Sequence, residues 1–309
     1  MNKIFKLIFD EDYRFDFLSS RGLLNKMSDH DYLKKMFKIR TGKNLVFDNP
    51  QTYNQKLQWI KLYDRNPKYI SMVDKYEAKK YVAKLIGEEY IIPTLGVWNN
   101  FDEINFDDLP DQFVLKCTHD SGGVVIIKDK STINRKEIKR KLEKSLKRNF
   151  YYYGREWPYK EVEPRIIAEK YMVDTTTIND NGHRNSVLKD YKIYTFNGKA
   201  KMCMINTDRG IDTRADYFDR DFKWLDFFWG YKHADIKPQK PVHYEKMFEL
   251  AEVLAQGTTE LRVDFYVVNN NIYFGELTFF DGSGFDPIIP EEWDIKIGSW
   301  LQLPAKEGE

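Results

Sequence analysis

The sequence predicts an α+β fold in which helices mix with largely antiparallel strands. Three observations carry that expectation. The early part of the chain holds short apolar patterns of helical period; from residue 113 onward short strand-like runs are joined by Gly and Asn turns; and helical stretches recur among those runs. The 309 residues are 42% hydrophobic, 31% charged and 16% aromatic, which suits a folded globular chain of about two structural units, since single cores seldom outgrow ~250–300 residues. No internal repeat or low-complexity tract interrupts it.

Residues 31–40 read as a helix that stops at Thr41-Gly42. Asn49-Pro50 opens a second helix over 52–63, with Tyr53, Leu57, Ile60 and Leu62 on one stripe. A third spans 74–85 and ends at Gly87. Tyr90-Ile91-Ile92-Pro93 reads as a short strand, followed by Leu95-Gly96-Val97-Trp98. Residues 113–117 form a strand running into the polar turn His119-Asp120-Ser121-Gly122-Gly123, and 124–127 form the next strand. The helix over 132–150 has one apolar stripe, Ile138, Leu142 and Leu146, so its many Lys and Arg are a solvated face. Residues 165–172 are a strand that turns charged at its end. A hairpin joins 191–196 to 201–205 through Asn197-Gly198, a helix covers 244–254, and a last hairpin joins 261–268 to 272–277 through Asn269-Asn270-Asn271.

Charge and cysteine usage exclude several classes. Lys and Arg total 49 against 48 Asp and Glu, a formal charge of +1, so bulk electrostatics give no reason to bind nucleic acid or an anionic membrane. Cys117 and Cys203 make neither a disulfide framework nor a metal spacing, which leaves a reducing cytoplasm as the default. The start is too short and too charged for a signal peptide, and no window approaches the ~18 apolar residues of a spanning helix. The five histidines lack metal-site spacing, and only His119 is given a role, as a phosphate contact.

Chemistry collects in four places. Arg262 and Asp264 share one face of a strand, and pairing across the Asn turn brings Glu276 alongside them. Two carboxylates there suit Mg²⁺, although an exposed Arg–Glu pair explains the same residues. Lys116 precedes Ser121, Gly122 and Gly123, where backbone N–H groups can approach an anion; taken alone, a plain hairpin turn is the simpler reading. Glu169-Lys170-Tyr171-Met172 ends a strand whose backbone could meet the edge of an adenine, or it is an edge strand with outward charges. Asp190 and Lys192 share a face and suit a ribose hydroxyl and a phosphate. Arg209 and Arg214 offer a bidentate fork to a substrate carboxylate, against a solvated loop as the slightly favoured alternative. The cluster Trp224, Phe227, Phe228, Trp229 and Tyr231 is better read as packing than as sugar stacking.

Together and in this order, the motifs resemble the ATP-grasp superfamily, and within it the TupA-like branch associated with teichuronopeptide and other bacterial surface polysaccharide synthesis. The resemblance rests on Asn49-Pro50-Gln51-Thr52-Tyr53-Asn54-Gln55-Lys56-Leu57-Gln58-Trp59, Val73-Asp74-Lys75-Tyr76-Glu77-Ala78-Lys79, the run from Phe113 to Gly122, Asp190-Tyr191-Lys192-Ile193-Tyr194-Thr195-Phe196-Asn197-Gly198-Lys199, Arg262-Val263-Asp264-Phe265-Tyr266 and Phe274-Gly275-Glu276-Leu277-Thr278. It implies a nucleotide held between a small subdomain over 111–188 and a C-terminal one over 189–309, after a mostly helical region over 1–110. It further implies that Lys75 and Lys116 contact ATP, that residues 121–123 close over the triphosphate, and that residues 169–172 are the adenine-side hinge. Asp190 becomes a ribose or phosphate-side contact, Lys192 lies near the γ-phosphate, Arg262 neutralises developing phosphoryl charge, and Asp264 and Glu276 hold Mg²⁺, with Mn²⁺ as a substitute. Thr278, a shorter and weaker ligand, stands where many such ligases carry Asn.

The implied activity is an ATP-dependent carboxylate–amine ligase working through an acylphosphate. It would join an amino acid or amino sugar to a uronic acid or acidic glycan precursor in capsule or other surface polysaccharide synthesis, beside the enzymes of that assembly. The rival is a metal-dependent glycosyltransferase using Asp219-Arg220-Asp221, although the opening strand and Gly fingerprint of a Rossmann unit are missing.

Overall fold

The computed structural model describes residues 3–176, 188–207 and 212–306. The N-terminal part is helical: α1 (Lys3–Phe9), α2 (Glu11–Ser20), α3 (Asp29–Thr41), α4 (Tyr53–Tyr63), α5 (Lys68–Val73) and α6 (Glu77–Ile86). Ser28 caps α3 by accepting from the Asp31 N–H, and Thr52 with Gln55 forms a reciprocal capping box at the start of α4. The helix expected over 74–85 begins later, because the Asp74 carboxylate accepts the N–H groups of Tyr76 and Glu77 at 2.8 and 3.1 Å and so separates α5 from α6. Helix α2 escaped the sequence reading because it buries no residue fully and shows no apolar stripe.

The expected strand over 90–93 is instead the end of a 3₁₀ turn, Glu88–Tyr90, and the strand β1 (Thr94–Trp98) follows Pro93, whose ring offers no N–H to a ladder. Next come β2 (Phe113–Cys117), β3 (Val124–Ile127), α7 (Arg135–Leu146), α8 (Tyr151–Gly154) and β4 (Ile166–Lys170). Helix α7 is shorter than the expected 132–150 because Asn134 caps it, accepting from the Glu137 N–H. The four strands pair antiparallel in the order β1-β4-β2-β3 and bury Phe113, Leu115, Ile166 and Ala168 with Ile138 and Leu142 of α7.

The larger sheet uses β5 (Asp190–Phe196), β6 (Lys199–Thr207), β7 (Arg214–Asp219) and β8 (Trp224–Leu225), and then, after β9 (Phe228–Trp229) and α9 (Tyr244–Leu254), the hairpin β10 (Glu260–Val268) and β11 (Asn271–Thr278). Its order is β11-β10-β5-β6-β7-β8, with β12 (Ile288–Ile289) pairing separately with β9 before the closing α10 (Glu291–Trp300). Register divides the sheet into two faces. Val263, Phe265, Leu261 and Ile193 are all 0% exposed on the side packed by α9, whereas Asp264 lies opposite both Lys192 and Glu276, and Arg262 opposite Tyr194 and Thr278.

Helix α4 braces one end of that polar face. Lys61, 0% exposed, donates to the Gln58 side chain at 3.0 Å and to the carbonyls of Gly154 and Ser283, both at 2.7 Å. Gln58 itself donates to the carbonyls of Ser283 and Gly284. The turn Asp281–Gly284 is therefore held from beneath by the N-terminal helices. Among the described residues, no helix is long and apolar enough to cross a membrane.

Candidate active site

The polar face of the large sheet carries a tight charge cluster. Arg262 forks onto Asp264 with Nε and Nη2 at 2.7 and 2.8 Å, reaches Glu276 with Nη2 at 2.8 Å, and donates from Nη1 to Asp281. Lys192 contacts Asp190 at 2.8 Å and donates to Asp264. Asp281 also accepts from the Tyr194 hydroxyl at 2.5 Å. Burial works against the charge on Arg262, yet Asp264 and Asp281 outweigh it and hold the guanidinium well above its ordinary value. Desolvation likewise pushes Glu276 up, but Arg262, Lys192 and Lys75 pull it down to about 2. The Thr278 hydroxyl donates to Glu276 at 3.1 Å.

The small sheet carries a second cluster with the opposite balance. Glu169, 6% exposed, sits between Lys79 at 2.6 Å and Lys116 at 2.5 Å. Lys79 is further held by the Ile92 carbonyl at 2.7 Å and the Thr94 hydroxyl at 2.9 Å. Burial would raise the Glu169 carboxyl, but Lys116 and Lys79 hold it at about 2, and Glu169 in turn keeps Lys116 above its ordinary value against the pull of burial. The Glu169 side chain is thus committed to two lysines at the front of the sheet, while Lys170 is the exposed end of β4. Tyr171 and Met172 follow half-buried, and residues 173–175 dock on Asn269 at the tip of the β10–β11 hairpin, with the Thr175 N–H 2.8 Å from Asn269 Oδ1.

The glycine turn closes tightly. The Gly123 carbonyl accepts from the Cys117 N–H at 2.8 Å, and a β-carbon on Gly123 would stand 2.6 Å from Ser145 Oγ and 2.7 Å from Asp120 Oδ1, so a larger residue there would have to displace those two side chains. Ser121 and Gly122 are exposed at its tip, and Lys75 anchors its base by donating to the Asp120 carbonyl. His119, expected at a phosphate, is 1% exposed and turns inward, with Nε2 within 3.2 and 3.0 Å of the Ser145 and Arg148 carbonyls; it braces the turn from below.

The two clusters face each other. Lys75 and Glu276 line one small cavity of about 10 Å³, and Lys116 lies within electrostatic reach of Glu276 and Tyr266. Beyond it, on the polar face, opens a cavity of about 460 Å³ whose wall includes Lys192, Arg262, Tyr217, Trp229, Asp281 and Asp286. Asp264 and Glu276 each lie 2.8 Å from the same Arg262 nitrogen, so the pair can converge on one small centre. Among the described residues, no three His, Cys, Asp or Glu side chains form a metal cage. Two carboxylates completed by phosphate oxygens are the set Mg²⁺ accepts, and the residues present fit that ion.

Several expectations resolve differently. Arg209 lies outside the described residues. Arg214, expected to grip a substrate carboxylate, is tied to Asp212 at 2.5 Å and to the His233 carbonyl at 3.5 Å, and it is Thr213 beside it that lines the larger cavity. The Asp219-Arg220-Asp221 run is a turn: Asp219 Oδ1 accepts the N–H groups of Asp221 and Lys223 at 3.0 and 2.8 Å, and Arg220 pairs with Glu252. Of the aromatic cluster, Phe227 and Trp229 are packed, stacking on Tyr217. Sequence reasoning assigned no role to Lys79, Tyr194, Asp281 or Asp286. The Asp281-Gly282-Ser283-Gly284 run signals a turn and could have drawn attention to the acids beside it.

Residues 55–302 match the family model described as TupA-like ATP-grasp. Among curated proteins none matches the chain. Among solved structures, the chain is similar to the D-alanine–D-alanine ligase of Bacillus anthracis complexed with ATP, at 14% identity and TM-score 0.41 over 87% of this chain and 82% of that one. The D-alanine–D-alanine ligase of Helicobacter pylori gives 17% identity and TM-score 0.39 over 81% and 69%. A RimK domain ATP-grasp protein of Sphaerobacter thermophilus gives 10% and 0.41 over 77% and 70%.

Proposed function

The chain belongs to the TupA-like ATP-grasp family and is an ATP-dependent ligase, and from that premise we propose that it joins a carboxylate to an amine through an acylphosphate. The observation that carries this reading is the Arg262 hub. One guanidinium on the wall of a substrate-sized cavity gathers Asp264, Glu276 and Asp281, and Glu276 shares a second, small cavity with Lys75.

The first step is attack of a substrate carboxylate oxygen on the γ-phosphorus of ATP, with ADP leaving. The amine then attacks the activated carbonyl, the C–N bond forms, and phosphate departs with the electron pair of the C–O bond. Such chemistry asks a protein for positioning and charge neutralisation more than for a nucleophile. Lys75 and Lys116 would neutralise the phosphates, and Ser121, Gly122 and Gly123 would present backbone N–H groups to them. Lys192 would meet the transferred phosphoryl group, kept in place by Asp190, and Arg262 would meet the charge that develops on it. Lys170, Tyr171 and Met172, with the backbone of Glu169, would border the adenine between the 111–188 and 189–309 units. Asp264 and Glu276 would hold Mg²⁺, or Mn²⁺ in its place, which supplies charge screening at the phosphates when bound.

The substrates we favour are a uronic acid or acidic glycan precursor and an amino acid or amino sugar, in cytoplasmic steps of surface polysaccharide assembly. The family's association supports that choice. The test is phosphate release from ATP and Mg²⁺ with mixed uronic acids and amines, with the product weighed by mass spectrometry. Release that requires both a carboxylate and an amine, and that Asp264→Ala or Glu276→Ala abolishes, supports ligation. Turnover of a nucleotide sugar without ATP consumption overturns it.

A further inference from the structure

The 460 Å³ cavity has an uneven charge balance. Among the described residues its cations are already engaged: Lys192 by Asp190 and Asp264, Arg262 by Asp264, Glu276 and Asp281. Asp281 is engaged as well, by Arg262 and Tyr194. Asp286 differs. Among the described residues its carboxylate makes no hydrogen bond and no ion pair, although it lines the same cavity. A pocket whose cations are committed and whose free charge is a carboxylate is complementary to a ligand that donates hydrogen bonds and carries positive charge.

The free carboxylate is also placed rather than loose. The Asp286 carbonyl accepts from Asn54 Nδ2 of α4 at 3.0 Å, and two residues on, Ile288 pairs with Trp229. Room for the acid comes from Gly282 (φ +54°), where a β-carbon would stand 2.4 Å from Asp286 Oδ2. Burial and then the nearby Asp281 push the Asp286 carboxyl above its ordinary value, which makes it a better proton acceptor. Beside it the aromatic wall leaves one ring available: Trp229 and Tyr217 are 4% and 1% exposed, Tyr231 is 47%. The volume is in the ordinary range for a small-molecule site, roughly 300–1,000 Å³.

We propose that this cavity is the amine-acceptor subsite, in which the Asp286 carboxylate anchors the protonated primary amine of a small polar substrate and the Tyr231 ring packs against its body. The inference rests on the ligase reading and names the substrate chemistry of one side of it. In the second step the ammonium gives one proton to Asp286, its nitrogen attacks the acylphosphate carbonyl, and the C–O bond to phosphate breaks. The second nitrogen proton leaves with the phosphate, so the amide and hydrogen phosphate are the products.

The amine chemistry has two sources, an amino sugar or an amino acid, and one titration separates them. The full chain is titrated by saturation-transfer NMR with glucosamine, L-serine, N-acetylglucosamine and glucuronate, with and without Mg²⁺ and a non-hydrolysable ATP analogue. Binding of glucosamine alone identifies an amino sugar, and binding of serine alone an amino acid; either supports the anchor if Asp286→Asn weakens it at least about tenfold, the size expected for losing a charge-assisted hydrogen bond. N-acetylation should remove binding. Equal binding to Asp286→Asn, equal binding of N-acetylglucosamine, glucuronate binding that Asp286→Asn weakens to the same extent, or no binding of either amine overturns the proposal. The measurement needs no turnover, so a chain that holds an amine through Asp286 but consumes no ATP would break the ligase reading and leave the subsite standing.

Discussion

The two charged clusters that face each other are built on opposite plans. On the small sheet one carboxylate, Glu169, is shared by two lysines, Lys79 and Lys116. On the large sheet two cations, Lys192 and Arg262, are shared by four carboxylates, Asp190, Asp264, Glu276 and Asp281. One wall therefore carries a positive surplus and the other a negative one. A polyphosphate suits the first wall directly. At the second it needs a divalent cation between itself and the acids, which is where the paired carboxylates lie.

That contrast can be broken in order of expected effect. Arg262→Met should lower kcat by about 10³, measured as ADP release, and by stranding buried Asp264 with Asp281 should also cost about 3–5 kcal/mol in denaturant unfolding. A large activity loss with unchanged stability would mean the guanidinium is not what holds those acids. On the other wall, Glu169→Gln leaves Lys79 and Lys116 uncompensated and should cost about 3 kcal/mol by the same unfolding measurement. Lys116→Met should weaken ATP binding about tenfold to a hundredfold by calorimetry, since it removes one charge-assisted contact.

A pH series sharpens the comparison further. Because Glu169 is held at about 2 when folded, below its ordinary value of 4.5, its contribution is complete above about pH 4.5 and disappears as pH falls toward 2. Melting temperature of the wild type should fall across that window, and Glu169→Gln should flatten the fall. The smallest effect belongs to Asp219→Ala, which removes a turn cap away from both walls. It should leave kcat within about twofold and cost about 1 kcal/mol.

Much of the architecture could be read in advance because it follows from local pattern. The Asn197-Gly198 and Asn269-Asn271 turns announce both hairpins, and strand alternation alone puts Arg262 and Asp264 on one face. The strand β7 was not legible: Arg-Ala-Asp-Tyr-Phe-Asp has acids on both of its faces, one of them Asp216, fully buried under Trp224 and Ala234. Site residues divide the same way. Lys116 and Glu276 stand in recognisable runs, whereas the pairing of Lys79 with Glu169 spans ninety positions of chain and exists only after folding. Asp281 and Asp286 lie in the segment between β11 and β12, where no periodicity marks which acid is held and which makes no bond among the described residues.

The brace beneath the Asp281–Gly284 turn limits how this chain can be shortened. Both sheets lie downstream of α4, and an expression fragment starting after residue 64 would keep every strand and every motif of phosphate chemistry. It would nonetheless lose the ammonium of Lys61 and the amide of Gln58, leaving the carbonyls of Ser283 and Gly284 without their donors inside the protein. The acids that border the larger cavity would then rest on a floor that had been removed. Minimal versions of this enzyme should keep α4, together with α10, whose Gly298 and Leu301 carbonyls accept from Lys56 of that helix.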